Sequence, residues 1–233
     1  VRPASRQEDA LTSPAPAAVL FDMDGTLIDS EKLWTIAINE LAASYGGTVS
    51  PEARAAMVGS AMAESMAVLH ADLGQEWRDA RTGAAWLEQR VAELFLTDVR
   101  WRPGALELLQ AVRAAGIPTA LVTSTARPLV EVVLETIGRT NFDVVVCGDE
   151  VTNTKPHPEP YLTAARLLGV PIGRCVAVED SPAGVASALA AGAAVLAVPS
   201  DVPLAPVEGV RRLESLTGAD LELLASLRAR LAG

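Results

Sequence analysis

Two carboxylates, Asp22 and Asp24, end an apolar run in "AVLFDMDGTLIDSEKLW", residues 18–34, and Gly25 and Thr26 turn the chain directly after them. Three other stretches set polar groups behind apolar runs: Thr123, Ser124 and Thr125 after "PTALV", Lys155 in "NTKPHPEP", and Glu179, Asp180 and Ser181 in "VAVEDSPAG". Carboxylates gathered in one place repel one another unless a cation lies among them, and a donor set made of oxygens selects Mg2+ over zinc. A lysine then offers positive charge to an incoming anion, while hydroxyls and neighbouring backbone N–H groups donate to its oxygens. Such a set is compatible with a small phosphorylated ligand.

These groups must be brought together by the elements that carry them. The apolar runs predict strands over 18–22, 118–123, 143–147, 174–179 and 193–198. Between them the period becomes helical, with Val130, Val133, Leu134 and Ile137 on one face and Tyr161, Ala164, Ala165 and Leu168 on another. Strand alternating with helix predicts a parallel sheet covered on both sides, whose ligands bind along the carboxyl edge. From about Glu31 to Leu96 the alternation stops. Helical stripes replace it, among them Trp34, Ile38, Leu41 and Tyr45, and Pro103 and Gly104 in "RWRPG" punctuate the return.

The bland readings of single residues are weaker than the joint one. A calcium loop also begins D-x-D, but Thr26 and Leu27 occupy positions that need a ligand and a glycine. Asp180 can cap the helix that Pro182 begins, alone or together with another role. Trp34 and Arg127 are further candidates for substrate contact, although the apolar stripe favours packing for Trp34 and Arg127 can simply open its helix. His157 reads as a structural loop residue and His70 as a surface one.

The chain has 233 residues, 50% hydrophobic and 21% charged, with a formal net charge of −10. That balance argues against nucleic acid, which demands basic surface. No apolar run approaches the roughly 20 residues that span a bilayer. Two cysteines, Cys147 and Cys175, neither in a CxxC pair, fit a reducing, cytoplasmic compartment. The Ala-, Pro- and Ser-rich residues 1–16 read as a flexible tail.

"DMDGTLIDS", the threonine after the second strand, the "KPHP" lysine and "EDSPAG", in this order, resemble the four motifs of the haloacid dehalogenase superfamily. The resemblance covers the chain from about residue 17 onward. It implies a Rossmann-like, doubly wound parallel sheet core, 17–30 and 100–233, with an inserted all-helical C1 cap, 31–99. Carried over, it makes Asp22 the nucleophile that forms an aspartyl-phosphate and Asp24 the general acid and base. Mg2+ would be held by Asp22, the Asp24 carbonyl and Asp180, with Glu179 a further candidate ligand. Thr123, Ser124, Gly25 and Lys155 would hold the phosphoryl group.

Within that superfamily Asp24 argues against the metal-free dehalogenases, which lack a second aspartate. The expected activity is a Mg2+-dependent phosphatase acting on a small metabolite, a sugar phosphate by the combination of "DSEKLW" with "EDSPAG". The alternative is a sugar-phosphate mutase of the β-phosphoglucomutase kind. Trp34 stands where such mutases place a histidine, and Met62 in "VGSAMAES" where they place an arginine, so the insertion is expected to lack a cation for a second phosphate. A receiver-like signalling domain shares an aspartate, a hydroxyl and a lysine, but has no acidic pair after the lysine.

Overall fold

The computed structural model describes residues 15–200 and 204–230. The expected tail over 1–16 lies almost wholly outside them. The apolar runs form the strands β1 (Ala18–Phe21), β2 (Thr119–Val122), β3 (Val144–Val146), β4 (Cys175–Glu179) and β5 (Ala194–Ala197). A sixth strand, β6 (Val210–Arg212), had no apolar run to announce it, because its side chains stay largely at the surface. All pairings are parallel and the order is β3-β2-β1-β4-β5-β6.

Period-two alternation decides which way each strand residue faces. Val19 and Phe21 enter one buried cluster, Ala18 and Leu20 the other. The first cluster is closed by α5 (Ala105–Ala114), α6 (Arg127–Ile137) and α9 (Leu221–Arg230), through Leu108, Val112, Val130, Val133, Leu134 and Leu224. The second is closed by α7 (Glu159–Leu168) and α8 (Pro182–Ala191), through Tyr161, Ala164, Ala165, Val185 and Ala188. The sheet is therefore covered on both faces, and its strand order reverses at β1, where a crevice opens at the carboxyl edge.

Between β1 and β2 the chain makes four helices: α1 (Glu31–Ser44), α2 (Pro51–Met57), α3 (Met62–Asp72) and α4 (Ala80–Asp98). Leu33, Ile38, Leu41, Met66, Leu69, Leu87, Val91 and Phe95 are buried among them. This segment begins and ends side by side. The Asp29 amide donates to the Arg100 carbonyl at 2.8 Å and the Arg102 amide to the Leu27 carbonyl at 2.8 Å, around an antiparallel bridge between Ile28 and Trp101. His70, read as a surface residue, is buried instead beneath the Tyr45 ring, with ring centroids 5.9 Å apart. It sits among the faces that α1, α3 and α4 turn toward one another, which a single-helix period does not reveal. Both cysteines are buried and unpaired.

Candidate active site

The end of β1 delivers Asp22 to the crevice, where its amide donates to the Val178 carbonyl of β4. Lys155, from the loop before α7, reaches it through a buried path. Its Nζ donates to Asp22 Oδ1 at 2.7 Å, to Glu179 Oε1 at 2.6 Å and to the Val122 carbonyl at 2.9 Å, so all three ammonium hydrogens are used. The other Asp22 oxygen, Oδ2, is buried and accepts no hydrogen bond among the described residues.

Glu179 has no such vacancy. Oε1 also accepts from the Tyr161 hydroxyl at 2.6 Å, and Oε2 accepts from the Asp180 and Ser181 amides and the Ser181 hydroxyl. The glycine of "EDSPAG" explains itself here. A methyl group on Gly184 would overlap the Glu179 carboxylate. Gly25 is similarly constrained, with φ of +80° and the Asp180 carboxylate filling the space where a side chain would be.

Asp180 accepts from Thr26 at 3.4 Å and from Ser200. Ligand oxygens of Asp22, Glu179 and Asp180 lie within 4.8 Å of one another. Burial, with the neighbouring charges of Glu179 and Asp24, raises the Asp22 pKa to about 7 despite Lys155, and burial with Asp22 and Glu179 raises Asp180 well above the usual carboxylate range. Burial opposes the charge on Lys155, but Asp22 and Glu179 outweigh it and hold the lysine above its ordinary pKa. A cluster of oxygens so short of positive charge, with one lone oxygen on Asp22, fits a divalent cation.

Asp24 is held quite differently. Oδ1 accepts from the Ser30 hydroxyl at 2.7 Å and the Trp34 indole N–H at 3.2 Å, Oδ2 from Thr125 at 2.8 Å and Thr123 at 3.3 Å. The two aspartates border a cavity of about 290 Å³. Its strand-edge wall includes Thr123, Ser124, Lys155, Asp180 and Ser181, and its opposite wall comes from the inserted helices.

Residues 16–192 match the model of the haloacid dehalogenase-like hydrolase family. The chain belongs to that family. Protein CbbY of Rhodobacter capsulatus is 35% identical over 194 residues, 79% of this chain and 86% of the relative. Hexitol phosphatase A of Escherichia coli is 37% identical over 186 residues, 79% and 84% of the two chains. The crystal structure of CbbY from Rhodobacter sphaeroides in complex with phosphate matches with a TM-score of 0.78 at 30% identity, covering 90% of this chain and 99% of that one.

Of the residues picked out in this hydrolase's sequence, Asp22, Asp24, Thr123, Ser124, Lys155, Asp180 and Trp34 all border the one cavity. Trp34 does so while stacking edge-on against Phe95, so its packing and its polar contact coexist. Arg127 is corrected: it does not line the cavity, and its guanidinium is taken by Glu150, Glu131 and the Val145 carbonyl. The insertion does place a cation on the cavity wall, Arg54 of α2, away from the two positions, 34 and 62, expected to lack one. Thr125, named with the hydroxyls after the second strand, proves to hold Asp24, and sequence reasoning passed over Ser30 and Tyr161. Ser30 lay inside a quoted motif; Tyr161 was visible only as an apolar face, which it also is.

Proposed function

We propose that this hydrolase is a Mg2+-dependent phosphatase that removes the phosphate of a small phosphorylated sugar through an aspartyl-phosphate on Asp22. The observation that carries the reading is the asymmetry of Asp22: one oxygen neutralised by a fully engaged Lys155, the other buried and unpartnered. A nucleophile must be rigid and unobstructed on one atom, and those are its conditions here, while Lys155 and a bound cation would supply the positive charge that keeps it ionised.

In this reading an Asp22 oxygen forms a bond to phosphorus as the ester P–O bond breaks, and the leaving oxygen takes a proton from Asp24. Asp24 then removes a proton from water as that water attacks phosphorus, which returns Asp22 and releases inorganic phosphate. Four donors fix the Asp24 carboxylate so that it acts from one position. Asp22, Asp180 and the Asp24 carbonyl would hold the metal, Glu179 being committed to Lys155, Tyr161 and the loop amides. Bound Mg2+ supplies charge that stabilises the phosphoryl oxygens, as phosphoryl transfer requires. Thr123, the Ser124 amide and Lys155 would bind those oxygens, and the inserted helices would act as the cap that excludes water. One relative named hexitol phosphatase and another named a phosphatase of phosphorylated carbohydrates support a sugar phosphate as substrate.

The test is continuous release of inorganic phosphate from p-nitrophenyl phosphate with Mg2+. Asp22→Asn should abolish it with the circular dichroism spectrum retained, and EDTA should stop the wild type. Undiminished turnover in that variant would remove Asp22 from the role of nucleophile. A single stoichiometric phosphorylation without release would favour the receiver-like alternative.

A further inference from the structure

The helical wall of the cavity carries one cation, Arg54, and its charge is already spent. The Arg54 guanidinium donates to Glu31 Oε2 at 2.5 Å, to the Glu31 carbonyl at 3.2 Å and, through Nε, to the Thr35 hydroxyl at 2.9 Å. The pair is largely removed from solvent, with side-chain exposures of 18% for Arg54 and 7% for Glu31. Glu88 of α4 lines the same wall and adds a carboxylate, and Asp149 faces it from beyond β3. Ser60 and Ser65, joined at 2.7 Å, supply hydroxyls nearby.

A second phosphate on a substrate would need unpaired positive charge on this wall. To recruit Arg54 it would have to displace the Glu31 carboxylate from a largely buried ion pair, a costly exchange. Sugar hydroxyls make no such demand. They donate and accept singly, and a guanidinium, a carboxylate and two serine hydroxyls in one wall offer both kinds of partner.

Resting on the phosphatase reading above, we infer that this wall selects sugars bearing a single phosphate, receiving their uncharged hydroxyl-bearing end and excluding a second phosphate, with the Glu31–Arg54 pair as the specificity determinant. The same neutralisation disfavours a mutase cycle, which must hold a bisphosphate.

The test compares kcat/KM for two matched pairs, glucose 6-phosphate with glucose 1,6-bisphosphate and fructose 6-phosphate with fructose 1,6-bisphosphate, beside p-nitrophenyl phosphate. Wild-type enzyme should favour the monophosphate by about tenfold or more, the scale of an unfavourable like-charge contact. Glu31→Gln leaves Arg54 unneutralised and should move the ratio toward the bisphosphate, whereas Arg54→Gln should move it the opposite way. Opposed shifts distinguish charge selection from general loosening of the cap, and the wild-type ratio stands even if a variant fails to fold. A wild type that prefers the bisphosphates, or folded variants whose ratios change by less than about twofold, would overturn the inference. Turnover of p-nitrophenyl phosphate but of neither sugar pair would overturn it while leaving the phosphatase reading intact; no turnover of any ester would overturn both.

Discussion

Asp24 accepts four side-chain hydrogen bonds where Asp22, two residues before it, accepts one. Two chemically identical carboxylates are thereby made unlike, one clamped and one left with an open oxygen. Trp34 belongs to the clamp, so Trp34→Phe keeps the ring against Phe95 and removes only the indole donor. A single hydrogen bond to a charged group is worth about 1.5–3 kcal/mol, so kcat should fall about tenfold or more and the melting temperature by several degrees. An unchanged kcat would show that Ser30, Thr123 and Thr125 suffice. The candidate nucleophile, the lysine and the two acidic motifs were legible in the sequence because strand ends bring such groups to one edge. Trp34's contact with Asp24 was not, since a stripe of apolar residues gives the face of a helix but not the direction of an indole N–H. Arg54 was hidden for a related reason: the resemblance points to positions 34 and 62 for a cation, and the arginine comes from α2, between them.

The five strands expected from apolar runs all formed, because a strand buried on both faces must be apolar along its whole length. β6 could not be read this way, since its Arg211 and Arg212 are exposed at the sheet edge. α8 offers the sharpest element-scale prediction. It begins at Pro182 with Ser181 accepting from the Gly184 amide, and Gly184 lies against Glu179. Alanine there is the better helix former by about 1 kcal/mol, yet its methyl would drive into a carboxylate that holds Lys155, and forced overpacking typically costs about 1–3 kcal/mol. Gly184→Ala should therefore lower both the melting temperature and the rate of phosphate release. A variant that melts higher and keeps full activity would show that Glu179 has room to move. His70 marks the limit of reading helices singly, as burial there depends on three helices meeting.

At the scale of the molecule, a chain with net charge −10 folds with three carboxylates buried within reach of one cation site. Burial and mutual repulsion favour the protonated forms of Asp22 and Asp180 until a metal binds, so binding should report itself in stability. Mg2+ at about a hundred times its dissociation constant would add about 2.7 kcal/mol, a rise in melting temperature of roughly 5–10 °C for a chain of this length. Asp180→Asn should flatten that dependence, and an equal rise in the variant would place the ion elsewhere. None of the described helices is long and apolar enough to cross a membrane. The paired backbone at Leu27–Asp29 and Arg100–Arg102 has a consequence for descent with modification. Because the inserted helices leave and rejoin the sheet at hydrogen-bonded neighbours, everything between those two points can be lengthened, shortened or exchanged without shifting β1 against β2. Lineages that keep Ser30 and Trp34 on Asp24 can therefore acquire new substrates by remodelling residues 35–99 while inheriting the reacting edge unchanged, and a graft of that segment from a relative is the laboratory form of the same event.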